Sequence, residues 1–251
     1  TWPNPAVGCV LVKQGRVVGR GWTQPSGRPH AEAMAVAAAG DAARDSTAYV
    51  TLEPCATHGR GPACADVLIE ARVARVVAAL RDPFAAVDGQ GFARLADAGI
   101  AVTVGPGAAQ AERTMAGFLM RQHQGRPHVT LKLALSLDGC IATARGESRW
   151  ITGAEARAHG HLERARADAI LVGHGTYAAD SPRLDVRLAG LEQRSPPRLL
   201  LSRGAEPPAG WSVLRDPSEI ATIAGDTLLV EGGMATAAAF LAADLVDRLL
   251  L

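Results

Sequence analysis

At 251 residues the chain exceeds the usual span of one hydrophobic core, so two domains are expected. With 48% hydrophobic and 20% charged residues and a net charge of +1, it has no lysine or arginine block to track a phosphate backbone, so a nucleic-acid partner is not implied. It has neither a cleavable apolar leader nor an apolar run near the roughly eighteen residues a membrane helix needs, and its four cysteines are too few for a disulfide scaffold, so the cytoplasm is the expected compartment.

In chain order, Asn4 stands between Pro3 and Pro5, in an extended loop whose amide could offer a donor and an acceptor to a heterocycle. Residues 7–13 and 16–22 flank Gln14-Gly15 and read as a hairpin. An alanine-rich helix is expected over 31–39, a strand over 47–52, a helix over 64–71 and a strand over 73–80. A helix over 90–98 and a short strand over 100–104 complete an alternation typical of helices packed on both faces of a sheet. Asp82 falls just past a strand end, where sites of α/β proteins collect. Cys9 and Cys140 lie in apolar, strand-like settings and read as core residues.

His30 and Glu32 open the alanine-rich helix, Cys55 follows the strand over 47–52, and Cys64 opens the next helix. One imidazole and two thiolates make three ligands and leave a tetrahedral zinc with an open fourth position, the arrangement of a catalytic rather than a closed structural site. Zinc so held lowers the pKa of a bound water to about 7. The N-terminus of a helix favours thiolate, so Cys64 is expected to ionise. Glu32, two residues from a ligand, is free to move the proton from water to departing ammonia. The pattern follows the zinc deaminase signature His-x-Glu with Pro-Cys-x-x-Cys, except that eight residues separate the cysteines.

A helix over 108–121 ends in Arg121-Gln-His-Gln-Gly-Arg-Pro127, and a domain boundary is placed there, between residues 124 and 125. Beyond it, strands are expected over 129–136, 168–172, 198–202 and 227–230, with a helix over 153–166. The last strand runs into Glu231-Gly232-Gly233 and an alanine-rich helix; bare backbone before a helix start lets a phosphate approach free N–H groups.

Pro3-Asn-Pro-Ala-Val-Gly-Cys-Val10, His30-Ala-Glu32, Leu52-Glu-Pro-Cys55 and Gly59-Arg-Gly-Pro-Ala-Cys64 together resemble the bifunctional riboflavin biosynthesis deaminase/reductase family. Lys132-x-Ala-x-Ser-Leu-Asp-Gly139, Ser148-x-Trp-Ile-Thr152, Gly173-x-Gly-Thr-x-x-x-Asp180, Leu184-x-x-Arg187 and Val230-Glu-Gly-Gly233 resemble its reductase half. The resemblance implies a cytidine-deaminase-like three-layer αβα domain over 1–124 and a dihydrofolate-reductase-like α/β domain over 125–251. It implies zinc and NADPH as cofactors and a phosphorylated pyrimidine as substrate, deaminated and then reduced from ribosyl to ribityl.

Carried over by position, Ala134, Trp150, Thr176, Asp180, Ser202 and the segment Gly233, Met234, Ala235, Thr236, Ala237, Ala238, Ala239 would meet the nucleotide. Ser148, Arg164, Leu184, Arg187 and Glu231 would hold the substrate of the reduction; Asn4, Arg60 and Asp82 would hold that of the deamination, Arg60 through its phosphate. Thr57 departs from the family, whose members often carry histidine there; here the histidine is His58. Family members begin with a further helix and continue for several strands past Asp244-Leu-Val-Asp-Arg248, so both ends look cut and the reductase half incomplete. Two alternatives are a monofunctional nucleoside or tRNA-type zinc deaminase and a structural-zinc binding module. Assembly as a homo-oligomer is left open.

Overall fold

Gln14 and Gly15 both take positive φ, 50° and 75°, the backbone of a tight two-residue turn, and join β1 (Gly8–Lys13) to β2 (Arg16–Trp22) in antiparallel register. The computed structural model describes Thr1–Leu251 apart from His58, Arg60 and Arg149, and divides into two units, Thr1–His123 and Gln124–Leu251. In the first unit β1 also pairs antiparallel with β3 (Thr47–Val50), and β4 (Arg75–Ala78) and β5 (Ala101–Val104) add on in parallel, in the order β2-β1-β3-β4-β5.

The helices of this unit are α1 (Ala31–Ala39), α2 (Cys64–Glu70), α3 (Gln90–Asp97), α4 (Ala108–Thr114) and α5 (Ala116–Gln124). Small residues on both partners set how closely α1 packs on the sheet. A Cβ on Gly19 or Gly21 of β2 would run into the carbonyl oxygen of Ala35 or Ala31, so the strand must be bare there for the helix to lie against it. Ala31 and Ala35 are wholly buried, in a core shared with Leu11, Leu68, Val76 and Leu95. The single helix expected over 108–121 is two helices. Met115 leaves helical geometry at φ −109° and buries its side chain against a cluster with Leu52, Ala79 and Phe118.

The second unit is one parallel sheet of β6 (His128–Lys132), β7 (Ala169–Gly173), β8 (Arg198–Leu201), β9 (Trp211–Leu214), β10 (Thr227–Glu231) and β11 (Arg248–Leu250), ordered β11-β6-β10-β7-β8-β9. Its helices are α6 (Ala154–Arg166), α7 (His174–Asp180) and α8 (Met234–Ala242). The central strands β7, β8 and β10 are apolar on both faces, as parallel strands covered on both sides must be. Leu228 and Val230 of β10 pack with Leu131 and Phe240 on one face; Leu229 packs with Ile170, Val172 and Leu200 on the other.

The strand expected over 129–136 pairs as far as Lys132, opposite Glu231 of β10 and Leu250 of β11, with the Leu133 N–H still donating to the Leu250 carbonyl at 2.9 Å. The chain then turns, with the Ser136 hydroxyl accepting the Cys140 N–H at 3.1 Å. Cys140 is therefore exposed, not a core residue, whereas Cys9 is buried. Among the described residues no helix is long and apolar enough to cross a membrane.

Candidate active site

His30 takes the N-cap position of α1 with extended backbone (φ −76°, ψ 164°), which aims its ring off the helix start toward the other two ligand candidates. Its Nδ1 lies 3.2 Å from Cys64 Sγ and 3.6 Å from Cys55 Sγ, and the three donor atoms all fall within 4.8 Å of one another. Two backbone bonds close the cysteine loop: the Cys64 N–H donates to Cys55 Sγ at 3.3 Å and the Ala65 N–H to the Cys55 carbonyl at 3.1 Å. One nitrogen and two sulfurs at this spacing suit zinc in chemistry and in reach. Asn4 holds the far side of the imidazole, its Nδ2 lying 2.9 Å from His30 Nε2 and donating to the Gly27 carbonyl at 3.1 Å. Such an outer partner fixes ring orientation and leaves Nδ1 facing the sulfurs.

The α2 N-terminus turns its first N–H to the other cysteine. Its Cys64 N–H serves the sulfur of Cys55, so Cys55 is the favoured thiolate: the Cys64 thiol beside it, outweighing burial, brings it down to about 4, with His30 adding to the effect. Cys64 is raised, because its thiol is the donor to Cys55 and is buried. Glu32 is 3% exposed on the first turn of α1, and burial, reinforced by the Cys55 thiolate, pushes its carboxyl up to about 7.

A cavity of about 280 Å³ opens on this group, its walls including Asn4, Arg28, Glu32, Thr57, Asp82 and Phe84. Asp82 is buried, accepts the Phe84 N–H at 2.9 Å, and is raised to about 6 by burial. Arg60 and His58, expected in the same loop, lie outside the described residues. The reading of the sequence passed over Glu53, buried inside the Leu52-Glu-Pro-Cys55 run and lining the same cavity.

A second cavity, about 310 Å³, lies at the carboxyl ends of β6 and β10. Of the residues expected there, Ala134, Ser148, Trp150, Asp180, Arg164, Arg187 and Glu231 line it. Arg164 meets Glu231 in a two-pronged pair, 2.6 and 2.8 Å, and also donates to the Asp185 carbonyl at 3.1 Å. The Arg157 guanidinium lies over the exposed Trp150 ring, 4.4 Å from its centroid.

The other residues expected to touch nucleotide or substrate there make contacts within the protein as well. The Thr176 hydroxyl accepts the Gly233 N–H at 3.0 Å. Ser202 uses its hydroxyl to accept the Ala205 N–H within its own turn. Leu184, at φ 54°, buries its side chain in the core, leaving only its backbone to reach a ligand. In Gly233–Ala239, Met234, Ala235 and Ala238 are exposed while Thr236 and Ala237 are buried. The glycines of this region serve packing as well: a Cβ on Gly173 or Gly232 would strike the Thr236 side chain. Lys132 and His161 also line the cavity. Arg157, His161 and Arg164 are spaced i, i+4, i+7 on α6, a pattern that puts them on one face and was legible in the sequence. His161 Nδ1 lies 3.1 Å from the Asp185 carbonyl oxygen and 3.3 Å from the Arg187 nitrogen, and burial, with Arg164 beside it, lowers its pKa.

Residues 1–80 match the cytidine and deoxycytidylate deaminase zinc-binding region, and residues 127–224 match the RibD C-terminal domain. The riboflavin biosynthesis protein RibD of Haemophilus influenzae is 54% identical over 187 residues, covering 74% of this chain and 50% of that protein. RibD of Mycobacterium tuberculosis is 42% identical over the whole chain and covered to 78%. The chain thus spans from about half to about four fifths of these relatives. The solved structure of Acinetobacter baumannii RibD superimposes with a TM-score of 0.89 at 37% identity, over 99% of this chain and 80% of that one. With a metal-ligand group on the deaminase-like unit and a parallel-sheet unit matched to the RibD C-terminal domain, the chain belongs to the RibD family of riboflavin biosynthesis proteins.

Proposed function

We infer that this chain carries out two successive reactions of riboflavin synthesis. Residues 1–124 deaminate 2,5-diamino-6-(5-phosphoribosylamino)pyrimidin-4(3H)-one by hydrolysis. Residues 125–251 reduce the ribosyl side chain of the resulting 5-amino-6-(5-phosphoribosylamino)uracil to ribityl with NADPH. The observation that carries this reading is the group His30, Cys55 and Cys64 at the edge of a cavity whose wall holds the buried Glu32. Zinc at that group would supply a Lewis acid and acidify water at its open position. Glu32 takes the water proton and delivers it to the amine that leaves as ammonia. Asn4 and Asp82 offer amide and carboxyl groups to the pyrimidine edge, and Arg60 pairs with the phosphate.

In the second cavity the cationic groups of Lys132 and Arg187 suit a phosphorylated substrate and a phosphorylated cofactor. NADPH held by Ala134, Trp150, Thr176, Asp180, Ser202 and the Gly233–Ala239 segment would supply hydride. Ser148, Leu184, Arg187 and the Arg164–Glu231 pair hold the opened sugar so that its carbonyl carbon faces the cofactor. The partners are small molecules, and the cytoplasm, which keeps thiol ligands reduced, is the fitting compartment.

The test is incubation with the diaminopyrimidinone phosphate, with and without NADPH, followed by product mass. Replacement of NH by O without NADPH, and the further gain of two hydrogens with it, is the expected result. An unchanged mass in both arms, with zinc bound, defeats the reading.

A further inference from the structure

Glu53 is 3% exposed, yet the four backbone N–H groups it faces all come from one distant segment. Its Oε2 accepts from Asp82 N at 3.2 Å and Gly89 N at 3.0 Å; its Oε1 accepts from Gly91 N at 2.9 Å and Phe92 N at 3.3 Å. These donors span the chain from just after β4 to the first turn of α3, where a carboxylate is favoured by the helix N-terminus. A second contact reinforces the dock: a Cβ on Gly91 would run into the carbonyl oxygen of Pro54, which lies between Glu53 and Cys55. The docked segment contributes Asp82, Phe84 and Val87 to the wall of the metal-side cavity.

We propose that Glu53 is a positioning residue for deamination: its four N–H bonds fix the 82–92 segment as the wall against which the pyrimidine is seated, at a set distance from Cys55. The inference rests on the deaminase reading above. Glu32 and Glu53 then divide the work, one moving a proton, the other holding no ligand and touching no reacting atom. The charge and length of Glu53 both matter. Glutamine offers one acceptor oxygen and turns an NH₂ group toward two N–H donors, and aspartate is one methylene too short to meet all four.

The experiment compares Glu53→Gln and Phe84→Ala with the unaltered full chain, reading zinc content, kcat and KM for the diaminopyrimidinone phosphate, and amide hydrogen exchange. Glu53→Gln is expected to keep zinc, to lose exchange protection at the Asp82, Gly89, Gly91 and Phe92 amides but not in α1, and to raise KM about tenfold or more with kcat within a few-fold. Phe84→Ala leaves all four bonds and removes only wall, so it should raise KM with exchange unchanged; being a half-exposed side chain, it can be made without unfolding, and keeps the proposal open to refutation even if the Glu53 variant does not fold. An unchanged KM in folded, zinc-loaded Glu53→Gln overturns the proposal, as does an unchanged KM in Phe84→Ala. So does loss of zinc in step with the change in KM, which would make Glu53 a support for Cys55. If the unaltered chain releases no ammonia it is the deaminase reading that fails, and the exchange result still reports on the dock.

Discussion

Glu32 and the two cysteines separate proton transfer from metal holding. Glu32 is no member of the ligand group, so Glu32→Gln is expected to keep zinc and fold while deamination falls by about a hundredfold or more, the scale of a lost general acid/base. Ammonia release at near-normal rate from that variant would remove Glu32 from the mechanism. Cys64→Ser should act on the metal, since a hydroxyl is a far poorer zinc ligand than a thiolate. Metal analysis of the purified variant checks this, and full zinc occupancy would show that Cys64 is not a ligand.

The placing of these groups is a property of the elements that carry them. His30 and Glu32 sit where they do because α1 lies on bare stretches of β2, so Gly21→Val should force the helix off the strand. The cost expected is about 1–3 kcal/mol in urea unfolding, together with loss of zinc affinity; a variant binding zinc as the unaltered chain does would detach the site from this packing. In the second unit the Arg126–Asp247 pair, 2.7 and 2.9 Å and nearly buried, ties the start of β6 to the turn before β11, and Asp247 also accepts the Val129 N–H. Burial, which would raise the Asp247 pKa, is outweighed by Arg126 and the Val129 N–H, so it is lowered. A lowered carboxylate contributes stability that is present above its unfolded value of about 4 and lost as pH falls through the folded one. Asp247→Asn should therefore cost about 2–4 kcal/mol at pH 7 and progressively less below about pH 4; an equal cost at both pH values would exclude the ion pair as the cause.

Element type was legible wherever a pattern was local: the Gln14-Gly15 hairpin, the alanine run of α1 and the apolar β7 and β10 all follow from short-range spacing. Where neighbours decide, it was not. The break at Met115 is set by a cluster assembled from distant residues. The three ligand candidates were legible because chemistry names their types. Glu53 was not, because its partners are backbone N–H groups more than twenty-five residues away, which no side-chain motif records.

At the scale of the whole molecule, each cavity draws its described lining from one unit: the first from residues 3–122, the second from residues 132–251. If the two reactions belong to these cavities, a block in one should leave the other working. Gly233 offers a clean block. Its φ of −77° suits any residue, and an added Cβ would meet the Thr176 hydroxyl at 3.5 Å, an ordinary contact, whereas Gly232 is pressed against Thr236 and would disturb the core if enlarged. Gly233→Val should therefore leave the unit folded while its side chain fills space at the start of α8, where the cofactor's phosphates would approach, and NADPH binding should be lost. Ammonia release from the diaminopyrimidinone phosphate should persist at the unaltered rate. Both are measured on the same preparation, after the unaltered chain has been shown to bind NADPH. Parallel loss of both activities in a protein that still unfolds cooperatively would mean that the two reactions share a site, and the division of labour between residues 1–124 and 125–251 would fall.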